Sequence, residues 1–394
     1  MFLGYPRPDG SAGIRNYVLV IPPGLIASEI CHFVPGTRTL ASADSGSGRT
    51  ANDRETIART LIGLGLNPNA GGCIVHSGSP GADYPETNPE RIANEIAKSG
   101  KPVEYINVGR EGGILEAVKK GIGVARRMVV DISRQHRVPC DDGLLTLAVK
   151  CGISDPTSGI AGNPTVGYVF DKLIANGGAA FFGETTEVIG AEHLMAKRCA
   201  TPQVAQALLD AVRNIEEMAK HSGQDIRTIN PIPANIAGGI SSLEEKSLGA
   251  MHKAGNAPIQ GVLKYGERPE GRGLYFIDCW MTLTSIMLGY AASGAQLTMF
   301  QLGGGGMPSW TILESAPTAI VPLLWTTANP NAWARSQDSL DFFSGTVITG
   351  EETLEQCGER FYAHILDIAS GTRTKPETIS FDSPAQMYLR EPAF

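Results

Sequence analysis

The chain has 394 residues, a formal net charge of −7 and 42% apolar residues. That length exceeds one ordinary hydrophobic core and predicts two domains. The charge is spread without a basic stripe, which excludes nucleic acid as a partner, and no apolar run approaches the ~18 residues that cross a bilayer, which excludes a membrane span.

At the N-terminus, MFLGYPRPDG places no charged segment ahead of an apolar run, so no signal peptide is expected and the cytoplasm is the expected location. The cysteines number seven, an odd count without a CxxC pair, as for reduced thiols rather than a disulfide framework. NYVLVIPP (Asn16–Pro23) reads as the first strand. The polar loop DSGSGR (Asp44–Arg49) precedes DRETIARTLIGLGL, whose apolar residues fall at helical spacing. GGCIVHSG (Gly71–Gly78) is a second strand and PVEYINV (Pro102–Val108) a third, with the helical NPERIANEIAKSG between them and ILEAVKKGIGVARRMVVDISRQ after them. Strands alternating with helices predict a parallel sheet flanked by helices. Residues 1–135 thus form an N-terminal α/β, Rossmann-like domain, and RQHRVPCDDG (Arg134–Gly143) reads as a linker.

The alternation resumes over residues 140–394, a second α/β domain. LLTLAVKCG, GGAAFFGE, GLYFIDCW and GAQLTMFQLGGGG are strand-like, and NPTVGYVFDKLIANG, AEHLMAKRC and PQVAQALLDAVRNIEEMAKHSG are helix-like. The fold class is α/β, with two largely parallel sheets. In open α/β sheets ligands sit beyond the carboxyl ends of the strands. Polar residues just past the strands should therefore share one crevice.

AAFFGETTEVIGAEH sets Glu184, Glu187, Glu192 and His193 directly after a buried run. A helix start explains part of this, with Thr185 or Thr186 as cap and Glu187 in the first turn. It does not explain every polar group, and carboxylates with one imidazole suit a divalent metal, Fe(II), Mn(II) or Mg(II), better than a structural zinc, with Glu184, Glu187 and His193 as its ligands. KCGISD places Lys150, Cys151 and Asp155 in a turn after another strand. In INPIPANIAGGISSLEEKSLG, Asn230 and Asn235 flank a rigid proline turn fit to bind substrate hydroxyls, Ser242 with Glu245 reads as a capping box, and Lys246 follows. The backbone of QLGGGGMPSW, at Gly304 and Gly305, can hold a carboxylate or simply turn. His76 ends a first-domain strand as a candidate acid or base.

GYPRPDGSAGIRNYVLVIP, DRETIARTLIGLGLNPNAGG, SGIAGNPTVGYVFDKLIANGGAAFFGETTEVIGAEHL, LEEKSLGAMHKAG, PIQGVLKYGE and ILDIASGTRTKPE together resemble the large subunit of the altronate/galactarate dehydratase family, which includes the sulfolactate sulfo-lyase large subunit. The resemblance runs nearly the whole chain. It implies an α/β catalytic subunit acting on 2-hydroxy acids, a divalent metal, typically iron, and a separate small subunit in many members. Cys151, Ser154, Asp155, Glu184, Glu187, Glu192, His193, Asn230, Asn235, Lys246 and Lys264 match the family's pattern. Ala43, Ser47 and Arg49 stand where the family has His, Cys and Gln, Ser79 and Pro80 where it has Cys and Glu, and Lys150 where it has Glu. The departures lie in loops at strand ends and make the pocket more positive, through Arg49, His76 and Lys150.

The resulting expectation is a hydro-lyase that removes water from a sugar acid or related 2-hydroxy carboxylate, giving a 2-oxo acid. Lys150, Cys151, Asp155, Glu187, His193 and Lys246 would carry the chemistry, and Arg49, His76, Asn230, Asn235, Gly304 and Gly305 would bind substrate. Two other readings stay open on the same scaffold: different chemistry (a C–S or C–N lyase, an isomerase or a hydrolase), or a non-catalytic hydroxy-acid-binding protein. A closed homo-oligomer is the usual assembly for such a chain.

Overall fold

The computed structural model describes residues 1–78, 84–304, 318–379 and 384–394. Its first part runs β1 (Phe2–Pro6), β2 (Ala12–Gly13), β3 (Tyr17–Ile21), α1 (Leu25–Phe33), β4 (Thr37–Arg38), α2 (Ala51–Leu66), β5 (Ala70–His76), α3 (Pro89–Ala97), β6 (Val103–Ile106) and α4 (Ile114–Ser133). Strands β3 to β6 form a parallel sheet in the order β4-β3-β5-β6. β5 is buried over its whole length, as a central parallel strand covered on both faces must be. Helix starts follow the sequence: Thr50 accepts from the Asp53 amide to open α2, and Asn88 accepts from the Glu90 and Arg91 amides, with proline next, to open α3.

The second part runs β7 (Val138–Cys140), β8 (Thr146–Gly152), α5 (Asn163–Ala175), β9 (Ala179–Phe182), α6 (Glu192–Ala196), α7 (Pro202–His221), α8 (Pro233–Ala237), α9 (Leu243–Met251), β10 (Ile259–Leu263), β11 (Gly273–Ile277), α10 (Leu283–Ser293), β12 (Leu297–Leu302), β13 (Leu323–Thr327), α11 (Pro330–Ser336), β14 (Phe342–Phe343), α12 (Thr346–Thr349) and α13 (Leu354–Ala369). Its seven-stranded sheet, ordered β10-β11-β9-β8-β12-β13-β14, is parallel throughout. The architecture is therefore two parallel α/β sheets.

The stretch Arg134–Gly143, expected to be a linker, instead carries β7, which pairs antiparallel with β1 and sets Cys140 against Phe2. A three-residue strand is too short for periodicity to reveal. The second part also reaches back: the Asp53 carboxylate accepts from the Arg390 and Glu391 amides of the C-terminal tail, and one apolar cluster runs from Leu61 and Leu64 of α2 to Tyr290 and Ala291 of α10. Among the described residues no helix is long and apolar enough to cross a membrane.

Lys101 sits in this frame as a buried cation, donating to the Gly65 and Asn67 carbonyls at 3.0 and 2.8 Å. Burial, then repulsion from Arg7, lowers its pKa to about 7. A depressed lysine pKa contributes stability that is present above the unfolded value and lost as pH falls through the folded one. We predict that stability rises between pH 7 and 9 by roughly 2 kcal/mol from this group, and that Lys101→Met removes that slope. Urea unfolding of both proteins at the two pH values checks it; equal slopes would contradict it.

Candidate active site

β8 lies between β9 on one side and β12 on the other, so the strand order reverses there, where open α/β sheets form a crevice at their carboxyl ends. Lys150 and Cys151 occupy the end of β8, and Glu184 follows β9 by two residues. Two non-glycine residues at this edge hold positive φ, Ile153 at 48° and Glu184 at 69°. Such conformations cost energy and persist where surrounding contacts fix them. Here Glu184 opens the tight turn Thr185–Glu187, and neither threonine caps it. Thr185 instead donates to Asp278 Oδ1 at 2.8 Å and accepts from the Cys279 amide at 3.2 Å, tying the turn to the end of β11.

Side chains from β8, this turn, α9 and the turn His252–Ala254 meet in one buried cluster. Glu184 Oε1 pairs with Lys150 Nζ at 3.2 Å, and its Oε2 accepts from the Cys151 amide at 3.1 Å and from Lys253 Nζ. Glu187 Oε1 pairs with Lys246 Nζ at 3.1 Å, while its Oε2 accepts from the Cys151 thiol at 2.7 Å and from Lys253 Nζ at 3.2 Å. Lys253 Nζ also lies 3.1 Å from Cys151 Sγ. Lys246 continues outward to Asn230 Oδ1 at 2.7 Å and Asn235 Oδ1 at 3.2 Å. Lys150 lies over the Phe300 ring at 5.0 Å, and Gly152 leaves room for that ring, since a Cβ there would stand 1.9 Å from it.

Three ammonium groups thus face two carboxylates in a site where every member is buried. Burial opposes ionisation of Glu187, but Lys246, Lys253 and Lys150 together outweigh it and hold its carboxyl well below the usual range. Burial likewise opposes charge on Lys253, yet the carboxylates of Glu184 and Glu187 raise its pKa well above the ordinary value. Burial first, then Glu184 and Glu187, push the Cys151 thiol up to about 12, so it stays protonated and donates.

The other expected site residues are distributed unevenly. Asp155 lies beside the cluster, its carboxylate accepting from the Thr157 and Ser158 amides and from Asn329 Nδ2. Asn235 donates to the Ser154 carbonyl at 2.9 Å, which binds the proline turn to the end of β8. His193 is exposed on α6. Arg49 pairs with Asp44 at 2.7 Å in its own loop. The His76 ring bonds the Pro22 and Ser77 carbonyls, and burial lowers its pKa against their pull. Among the described residues no hydrogen bond or ion pair joins these three to the cluster. The Gly304 amide is spent on the Ile153 carbonyl at 2.8 Å, and Gly305, Ser79 and Pro80 lie outside the described residues.

The sequence is similar to those of known proteins. Residues 4–133 match the family model for the D-galactarate dehydratase/altronate hydrolase second domain, and residues 143–389 the model for the D-galactarate/altronate dehydratase C-terminal domain. This chain belongs to the D-galactarate/altronate dehydratase family. It is 34% identical to the (2R)-sulfolactate sulfo-lyase subunit beta of Chromohalobacter salexigens, over 96% of this chain and 95% of that protein. The altronate dehydratase of Bacillus subtilis is 28% identical over 96% of this chain and 76% of its own length. The galactarate dehydratase (L-threo-forming) of Escherichia coli is 30% identical over 80% of this chain and 59% of its own length. The chain is an enzyme of the lyase type.

In this family member, one ligand atom each from Cys151, Glu184 and Glu187 lie within 4.8 Å of one another, a group that could hold a metal ion. His193, expected as a ligand, is not part of that group. Lys253, which touches all three donors, escaped the sequence reading although a signal was present. Lys246 and Lys253 are seven residues apart, two helical turns, which sets both on the face of α9 and its final turn that looks at the cluster.

Proposed function

We propose that this chain is a hydro-lyase that breaks the C–H bond alpha to the carboxylate of a polyhydroxylated acid and expels the beta hydroxyl as water. The resulting enol tautomerises to a 2-oxo acid. The observation that carries this reading is the two-sided position of Lys246, between the buried cluster and a cavity. Its ammonium touches Glu187 inside the cluster, and its side chain also lines a cavity of about 300 Å³ with Ser154, Asp155, Asn163, Glu245 and His252. In its neutral form Lys246 is the group placed to take the proton from the alpha carbon and return it to the leaving oxygen, with Glu187 orienting Nζ through its hydrogen bond. The remaining ammonium groups favour the negative charge that develops on the enediolate. Ser154 Oγ and Asn163 Oδ1 are buried without a hydrogen-bond partner among the described residues, which suits a substrate that brings several hydroxyls.

A metal would take Cys151, Glu184 and Glu187 as ligands only by displacing Lys253 Nζ from them, and the ion would then supply Lewis acidity toward a substrate oxygen. A second subunit fits the exposed Ile160 and Leu248 at the cavity rim and the subunit designation of the sulfo-lyase relative. Full turnover by the purified chain alone would remove the need for one.

The test is 2-oxo acid formation from altronate and galactarate, with sulfite release from (2R)-sulfolactate assayed in parallel because of the sulfo-lyase relative. Lys246→Met is expected to lower kcat at least about 100-fold, the scale of one positioned proton carrier. Lys246→Arg, which keeps the charge, is expected to fail as well, and Asn163→Ala should act mainly on KM. Unchanged turnover in both lysine variants would remove Lys246 from the chemistry.

A further inference from the structure

We infer that Lys253 is the resident cation of the Cys151–Glu184–Glu187 group, so that its ammonium and a divalent ion exclude one another there. The inference stands on the geometry of the group and holds whichever acid is the substrate. Three donor atoms converging within 4.8 Å form a seat for one cation. Nζ of Lys253 is already in it: it donates to Glu184 Oε2, reaches Glu187 Oε2 at 3.2 Å and lies 3.1 Å from Cys151 Sγ. An ammonium has three N–H bonds, and the three donor atoms take all of them. A metal bound at ordinary ligand distances of about 2.0–2.3 Å would press directly on Nζ.

The lysine is also fixed in place. It is 2% exposed, and it rides on the turn His252–Ala254. That turn packs against α5 at Gly167, where a Cβ would stand 2.3 Å from the His252 carbonyl oxygen. Just beyond it, the Asp171 carboxylate accepts from the Asn256 and Ala257 amides. Charge points the same way. Lys150 and Lys246 already pair with the outer oxygens of Glu184 and Glu187, so a divalent ion added beside Lys253 meets a site that is positive before it arrives.

The experiment is an anaerobic Co(II) titration followed by thiolate-to-cobalt charge-transfer absorption, on wild type, Lys253→Met, Cys151→Ser and the Lys253→Met/Cys151→Ser double variant. Wild type is expected to show no Cys151-dependent band. Lys253→Met is expected to bind Co(II) at least tenfold more tightly than wild type, with a band that the added Cys151→Ser removes. A stoichiometric band in wild type that Cys151→Ser abolishes would overturn the inference, as would a folded Lys253→Met that binds no better than wild type. If Lys253→Met does not fold, the pair of wild type and Cys151→Ser still decides. No turnover is measured, so failure here is distinct from failure of the proposed reaction.

Discussion

Glu184→Gln is expected to destabilise the protein by about 3–5 kcal/mol, the scale on which one partner of a buried ion pair is lost. The glutamate is fully buried and meets two ammonium groups, Lys150 at 3.2 Å and Lys253, as well as the Cys151 amide. Its amide replacement preserves shape but removes the charge and turns one acceptor oxygen into an NH2 donor that faces other donors, so three ammonium groups would face Glu187 alone. Removing one of those ammonium groups should then restore balance. Lys150→Met is the suitable companion, because the end of its side chain already lies over the Phe300 ring. The double variant should be more stable than the sum of the two single changes predicts, by at least about 1 kcal/mol, as for residues in one network. Urea unfolding of the four proteins measures the coupling. A Glu184→Gln protein within 1 kcal/mol of wild type would mean that the cluster is not held together by charge.

The parts of the fold legible in the sequence were those with strong periodicity. β3, β5, β6, β8, β9, β11 and β12 each lie within or largely within an apolar run between turn residues, and α2, α4, α5 and α7 keep an apolar face over at least thirteen residues. β10, β13 and β14 were missed: Ile259–Leu263 contains Gln260 and Gly261 and Phe342–Phe343 is two residues long, so these two do not separate from their surroundings by pattern, whereas β13 is a short apolar run, LLWTT, that the pattern did offer. For the site, position beyond a strand was the informative signal. Lys150, Cys151, Glu184 and Glu187 come together because β8 and β9 are neighbours at the reversal of strand order. The same signal carried His76 and Arg49 too far, since His76 ends a strand of the other sheet, Arg49 lies just before α2, and both spend their polar groups locally. His193 follows the right strand, but helix α6 turns it outward. Residue type could not show that. Lys253 was hidden for the opposite reason: a lysine is read as solvated by default, and only the packing of the turn that carries it reveals the burial.

The seam between the two sheets was not legible at all, and it should yield the second large effect. Asn67 and Asn69 follow α2 and are both fully buried. Asn67 Nδ2 donates to the Ala291 and Ala295 carbonyls at 2.8 Å. Asn69 Oδ1 accepts from the Ile14 and Arg15 amides, and its Nδ2 donates to the Gln296 and Ile320 carbonyls. One side chain therefore satisfies four backbone groups that sit out of water on both sides of the seam. Asn69→Ala leaves all four without their partner, and at about 1–3 kcal/mol for each buried group so exposed, a net loss of at least about 3 kcal/mol is expected even after relaxation. The loss should also uncouple the two halves. All four tryptophans, Trp280, Trp310, Trp325 and Trp333, belong to the second half of the chain, so fluorescence reports that half while far-ultraviolet circular dichroism reports the whole. Wild type should give coincident denaturation curves by the two probes, and Asn69→Ala separated ones. Coincident curves in the variant, at an unchanged midpoint, would show that the apolar contact of α2 with α10 is enough to hold the halves together without the asparagine.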